Sequence, residues 1–174
     1  MKKKTFLLFT TLIFIFSFFI CDTNDVQAKT SVNKVVKYAR KVYYGTNQSI
    51  ARKKLKKVQD NNVESYFDKQ GHLRKSIIPK GSTDPASIKG YTVEYYYSKD
   101  MRLVFAFAYK SVRGKTYEHR AYYGKNGKLY RYISANKKIK NYKKGHNPYS
   151  AKDSSIIKKM YLNGTMNLHW YGLI

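Results

Sequence analysis

"EHRAYYGKNGKLYRYI", Glu118–Ile133, carries the clearest structural signal in the chain. Two arms of tyrosines and basic residues flank Gly124-Lys125-Asn126-Gly127, the pattern of a β-hairpin closed by a short polar turn. Side chains alternate across a strand, so Ala121, Tyr123, Leu129 and Ile133 are expected to face a core. Glu118, Arg120, Tyr122, Lys128, Tyr130 and Tyr132 then face out. Arg131 resists this assignment, because it falls inward between Leu129 and Ile133. Either it lies at the sheet margin or the register is one residue off.

Two further stretches follow the same plan. "VESYFDKQGHLRKSII" (Val63–Ile78) turns at Lys69-Gln70-Gly71, and "YTVEYYYSKDMRLVFAFAYKS" (Tyr91–Ser111) turns near Ser98-Lys99-Asp100. All three share an aromatic pair, a short polar turn, a leucine and a basic residue. They read as successive hairpins of one antiparallel meander, too few and too unequal for a solenoid. In the second hairpin Val93, Tyr95, Tyr97, Leu103, Phe105, Phe107 and Tyr109 are expected inward. Thr92, Glu94, Tyr96, Arg102, Val104, Ala106, Ala108 and Lys110 are expected outward. Pro79–Gly90 reads as a loop from its Pro, Gly and Ser content.

Helical periodicity brackets the hairpins. "SVNKVVKYARKVYY" (Ser31–Tyr44) sets Val35, Ala39 and Val42 at i, i+4, i+7 with Val36 and Tyr43 beside them, and Gly45 suits a helix end. A second helix is expected from Ser49 as N-cap through "IARKKLKKVQ", with Ile50, Ala51, Leu55 and Val58 inward and Asn61-Asn62 closing it. After the hairpins, Ser134–Ser150 reads as a basic loop. A short helix then starts at Asp153 and is capped by Gly164, and "TMNLHWYGLI" alternates like an edge strand or core clamp. The expected fold class is α+β: an antiparallel β-meander of about three hairpins, packed on one face by N-terminal helices and a short C-terminal helix.

The first residues set the compartment. Lys2, Lys3 and Lys4 precede an uncharged apolar run, Thr5–Ile20, and Val26-Gln27-Ala28 places small residues three and one before a cut. That is the pattern of a secretory signal peptide spanning residues 1–28. The run falls short of the roughly 20 residues that span a hydrocarbon core, so an uncleaved anchor is the weaker reading. Residues 29–174 then suffice for a single basic domain. Cys21 is the sole cysteine. A lipid-attachment cysteine wants a small residue before it, and Ile20 is bulky, which argues against lipidation. Cleavage after Ala28 leaves no thiol, disulfide or cysteine-based metal site.

The charge is extreme: 35 Lys+Arg stand against 10 Asp+Glu, a formal +25. A disordered basic tail would be poor in aromatics, whereas this chain has 18 tyrosines interleaved with its cations. It reads as a folded basic protein whose self-repulsion must be offset by anionic partners or tolerated by a robust core. The outward Tyr96, Arg102, Lys110, Arg120, Tyr122, Lys128, Tyr130 and Tyr132 form the expected ligand-binding face, where phenol rings stack and cations meet phosphate or carboxylate. The same residues stabilise a sheet without any ligand, since tyrosine favours strands and Tyr-Arg or Tyr-Lys pairs support them. Lys53, Lys54, Lys56, Lys57, Lys137, Lys138, Lys140, Lys143 and Lys144 form a general electrostatic surface. Lysine suits delocalised attraction, arginine bidentate recognition.

No catalytic motif emerges, and no cofactor or metal is expected. His72, His119, His146 and His169 lack metal-ligand spacing. There is no Gly-x-Ser-x-Gly elbow and no phosphate-binding glycine loop. Glu94 and Glu118 are the one carboxylate pair on strands that could be neighbours, each expected to neutralise Arg102 or Arg120.

"VEYYYSKDMRLVFAFAYK" and "EHRAYYGKNGKLYRYI" resemble small secreted or lipid-anchored proteins of Gram-positive bacteria, mostly uncharacterised, whose aromatic-rich hairpins of the form YYY-x-(N/D)-G-K-L follow an N-terminal helix. The resemblance spans Val63–Ile133. It implies an extracytoplasmic α+β binding-type domain, and Ile20 before Cys21 departs from the anchored members. The expected function is therefore a secreted, non-enzymatic binding protein of the cell envelope, held by an anionic cell-wall polymer or membrane surface. The alternative is a secreted protein-binding factor (an enzyme inhibitor, an immunity protein or a host-directed effector) whose Tyr/Arg sheet face meets an acidic protein. Nucleic acid ranks below both: basic plus aromatic is the single-strand recipe, but no RRM, KH or OB signature appears and the chain is expected to be exported.

Overall fold

In the computed structural model, which describes residues 23–150 and 154–170 and the side chains of 31–150 and 154–168, the hairpins merge into one sheet. Helix α1 (Thr23–Ala51) leads into β1 (Lys56–Asp60), β2 (Val63–Phe67), β3 (Leu73–Ile78), β4 (Thr92–Tyr97), β5 (Leu103–Val112), β6 (Lys115–Tyr123), β7 (Leu129–Ile133) and β8 (Ile139–His146), and α2 (Ser155–Trp170) follows. The strands pair antiparallel in chain order, β1 to β8. This replaces the expected meander of three hairpins with a larger, eight-stranded sheet. The helices also sit on opposite faces rather than together: α1 packs with Tyr96, Phe105 and Tyr122, whereas α2 packs with Tyr95, Tyr97 and Leu103. The leader run, Cys21, Asp153 and Tyr171–Ile174 lie outside the described residues.

Both extra strands come from segments read otherwise. The lysine-rich stretch before Asn61 is not a second helix. Asn61 and Asn62 have φ of 45° and 66°, the left-handed pair that a two-residue hairpin turn requires, and Asp60 pairs with Val63 across it. Lys56–Asp60 is thereby drawn into the sheet. The first helix instead continues through Gly45, where Ser49 Oγ donates back to the Gly45 carbonyl at 2.8 Å. It ends two turns later in a Schellman motif, Lys54 N bonding Ser49 O and Lys53 N bonding Ile50 O, with Lys53 at φ 53°. At the other edge, the expected basic loop contains β8. The tail is helical as far as Trp170: α2 runs through Gly164, and Met160, Gly164 and Leu168 form its sheet-facing stripe.

Four hairpins share one turn geometry. Asp68, Ser98, Gly124 and Ser134 each bond the residue four positions on, around three-residue loops. The last loop residue has positive φ each time: Gly71, Met101, Gly127 and Lys137. In the first three the aromatic pair also shifts register at the same place, between Tyr66 and Phe67, Tyr96 and Tyr97, and Tyr122 and Tyr123. Arg74, Val104 and Tyr130 are the unpaired residues of these bulges. Each bulge reverses the alternation beyond it. Leu73, Leu103 and Leu129 face α2, but Phe105, Phe107 and Tyr109 move to the α1 face, opposite to expectation, and Ala106 and Ala108 face α2. The same shift resolves the Arg131 conflict. Arg131 and Ile133 lie on the α1 face, where Arg131 Nε donates to Asn141 Oδ1 at 2.7 Å, while Tyr132 turns towards α2.

Both faces are consequently core. Val32, Val36 and Ala39 bury the α1 stripe on one side, and Ile157, Met160 and Leu168 anchor α2 on the other. A fully buried side chain of this size contributes about 1.5–3 kcal/mol. Gly164 permits the close approach of α2, because a Cβ there would lie 2.8 Å from both Leu103 and Tyr95. Its carbonyl accepts from the Tyr97 hydroxyl at 2.9 Å.

Candidate functional site

On the α1 face, one row across the sheet reads Lys57, Tyr66, Lys75, Tyr96, Phe105, Tyr122, Arg131 and Asn141. Helix α1 crosses this row, and a polar knot fastens it there. Lys75 Nζ lies 3.0 Å from Glu94 Oε2 and donates to Asn47 Oδ1 of α1 at 3.0 Å. The Tyr96 hydroxyl donates to the same Glu94 oxygen at 2.5 Å and accepts from Asn47 Nδ2 at 3.2 Å. The ammonium also rests 4.8 Å from the Tyr96 ring centroid. Burial, followed by the Glu94 charge, holds the Tyr96 phenol far above its ordinary pKa, so it remains a donor.

Beside this knot, α1 and the sheet enclose a cleft of about 350 Å³ lined by Ala39, Arg40, Tyr43, Tyr44, Phe105, Phe107, Arg120 and Tyr122. Arg40, Tyr43 and Tyr44 share a helix face through their i, i+3, i+4 spacing, and the strand residues share a sheet face through period two. Phe105 and Phe107 stand near-parallel, centroids 6.5 Å apart and planes within 9°, and Tyr109 continues the series at 5.1 Å. The Arg120 guanidinium lies 5.5 Å from the Phe107 centroid and is paired with the Glu118 carboxylate. Tyr43 sits edge-on to Phe105 and to Tyr44, and burial raises its pKa. Tyr44 itself is 67% exposed, the most exposed large apolar side chain among the described residues.

A second cleft, about 540 Å³, lies between α1 and the β2–β3 turn. Its lining sets Lys41, Arg74 and Lys99 against the single carboxylate of Asp68, which lies 3.6 Å from Arg74.

The expected eight-residue ligand face is not a single surface. Tyr96 and Tyr122 are buried beneath α1, and Tyr132 is buried on the opposite face. There the Tyr132 hydroxyl lies 2.5 Å from His119 Nδ1, and His119 Nε2 lies 3.3 Å from the Tyr91 hydroxyl. Burial pushes the Tyr132 phenol up to about 12 and, with the nearby Lys110 charge, pushes the His119 imidazole down. Lys110 lies over the Tyr91 ring at 4.7 Å. Arg102 is exposed at the β4–β5 turn, 3.2 Å from Asp100 and bonded to the Lys125 carbonyl. Lys128 is exposed, and Tyr130 packs partly beneath α1. The α1 cleft therefore brings together only Arg120 and Tyr122 of the eight. Glu94 and Glu118 are not neighbours either: β5 separates their strands, and Lys75, not Arg102, neutralises Glu94.

The lysine sets fall at opposite ends of the sheet. Lys53 and Lys54 precede β1, and Lys56 and Lys57 are on it, Lys57 paired with Glu64 at 2.8 Å. Lys137 and Lys138 lead into β8, which carries Lys140, Lys143 and Lys144. All nine are exposed. Lysine on an exposed edge strand also discourages pairing with another chain, a structural use of the same residues.

No family model, curated protein or solved structure matches this chain. Among the described residues the geometry defines an eight-stranded antiparallel sheet with a helix on each face and a basic surface. Among the described residues no helix is long and apolar enough to cross a membrane.

Proposed function

We propose that this is a secreted, non-enzymatic binding protein of the cell envelope, held by an anionic cell-wall polymer or an anionic membrane surface. One observation carries the reading: among the described residues most acids are paired locally, whereas most lysines lie exposed on the surface. Glu64, Asp68, Glu94, Asp100 and Glu118 each pair with a lysine or arginine on the same sheet or turn. Asp84 accepts from the Ala86 amide within its own loop. The excess of the formal +25 is therefore carried by exposed lysines on α1, the turns and both sheet edges. Such a shell attracts a polyanion without needing a shaped pocket, and counterion release makes the attraction steeply salt-dependent. The leader-like N-terminus supports export to where such polymers are dense.

The alternative of a protein-binding factor using the Tyr/Arg face has less support, since Tyr96, Tyr122 and Tyr132 are buried. The test is co-sedimentation of the purified protein with Gram-positive cell walls, before and after extraction of their anionic polymer. Retention is expected to fall on extraction. Equal retention on extracted walls would refute the reading.

A further inference from the structure

We propose that the cleft between α1 and the sheet is a binding site for a sugar ring bearing one anionic group, phosphate or carboxylate. The site goes beyond the retention described above, which needs only exposed charge. It relies on the envelope reading solely for where such a ligand is met.

The cations differ in kind from the rest of the surface. The chain has seven arginines among its 35 basic residues, and two of them, Arg40 and Arg120, line this one cleft. A guanidinium presents donors in a fixed fork matched to phosphate and carboxylate, whereas lysine acts as a point charge. Arg120 is also held in place, by the Glu118 carboxylate on one side and the Phe107 ring on the other. Glu118 occupies part of the fork, and the remaining N–H groups stay available. With Arg40 and Arg120 against Glu118, the cleft carries one net positive charge, which is answered by a single anionic substituent.

The rings supply the second half of the recognition. Tyr44 is two-thirds exposed at the rim and is braced edge-on by Tyr43, 5.1 Å away. It presents one open ring face, not a slot between two facing rings. A flat aromatic ligand would leave its second face unstacked. A puckered sugar ring, with C–H groups towards Tyr44 and hydroxyls towards the phenols and guanidiniums, satisfies both sides. A volume of about 350 Å³ lies at the small end of ligand sites, which run from about 300 to 1,000 Å³.

The experiment is an NMR titration of the purified protein with four probes: glucose 1-phosphate, glucuronate, glucose and inorganic phosphate. At least one of the two anionic sugars is expected to bind about tenfold more tightly than either glucose or phosphate, shifting the amides of Arg40, Tyr44 and Arg120, and comparison of the two separates phosphate from carboxylate as the anion. Tyr44→Ala, at an exposed position, and Arg120→Gln are each expected to weaken that binding about tenfold. Phosphate binding as tightly as both sugars, shifts elsewhere than the cleft, or an unaltered affinity in Tyr44→Ala would overturn the proposal. Wall retention is scored separately on lysine variants remote from the cleft, so failure of the charge-based reading leaves the sugar result standing.

Discussion

Replacing Lys75 with methionine removes the centre of the knot that joins α1 to the sheet. The Lys75 side chain is 8% exposed and that of Glu94 15%. Without the ammonium, Glu94 keeps only the Tyr96 hydroxyl, and Asn47 Oδ1 loses its 3.0 Å donor. Stranding one member of a buried ion pair costs about 3–5 kcal/mol. Glu94 retains one strong hydrogen bond and a little solvent, which places Lys75→Met near the lower end, about 3 kcal/mol. For a domain of this size that lowers Tm by about 6–12 °C. The double variant Lys75→Met, Glu94→Leu removes both charges and is expected to recover most of the loss, because a buried pair is often no better than well-packed apolar residues. A double-mutant cycle by urea denaturation should give a coupling of about 2 kcal/mol. A cost below about 1 kcal/mol for the single variant, or additivity in the cycle, would refute the claim that the pair is buried and shared.

Other consequences are as specific. Gly164→Ala should destabilise by about 1–3 kcal/mol despite the better helix propensity of alanine, since its Cβ would meet Leu103 and Tyr95 at 2.8 Å; chemical denaturation measures it. Lys137→Gly should raise Tm by a few degrees, because Lys137 holds φ 59° at an exposed turn where glycine carries no steric cost. His119 has a folded-state pKa below its unfolded value of about 6.5, through burial and then Lys110. Its contribution is therefore present above about pH 6.5 and is lost as pH falls towards the folded pKa. The drop in Tm between pH 7.5 and 5.5 should accordingly be smaller in His119→Gln than in the parent.

The parts of the fold that were legible are those where one residue type had one use. Gly71 and Gly127 mark left-handed turn positions, and Leu73, Leu103 and Leu129 mark the face that α2 covers. The phase beyond each leucine was not legible. Leu103 to Ala108 is apolar at every position, and a strand buried on both faces loses the alternation that would fix its register. Nothing local distinguishes Val104 as the bulge residue. Asn61-Asn62 was legible in principle, since two adjacent left-handed asparagines signal a hairpin, but the basic amphipathic run before it outweighed that signal. β8 offers no apolar pattern of its own and is held by its ladder with β7. The cleft was half visible: Arg120 and Tyr122 stood out in a hairpin, whereas Arg40, Tyr43 and Tyr44 read as an ordinary helix surface. Only the path of α1 across β5 and β6 brings the two sets together.

The central claim is that delocalised lysine charge, not a stoichiometric protein contact, holds this protein at its surface. The most direct measurement is the salt dependence of its affinity for purified anionic wall polymer, comparing the parent with Lys137, Lys138, Lys140 and Lys144 all changed to glutamine. The account predicts a straight fall of log affinity with log salt in the parent and a shallower slope in the variant, with no loss of Tm. The same slope in both proteins, or an affinity that salt leaves unmoved, would contradict it.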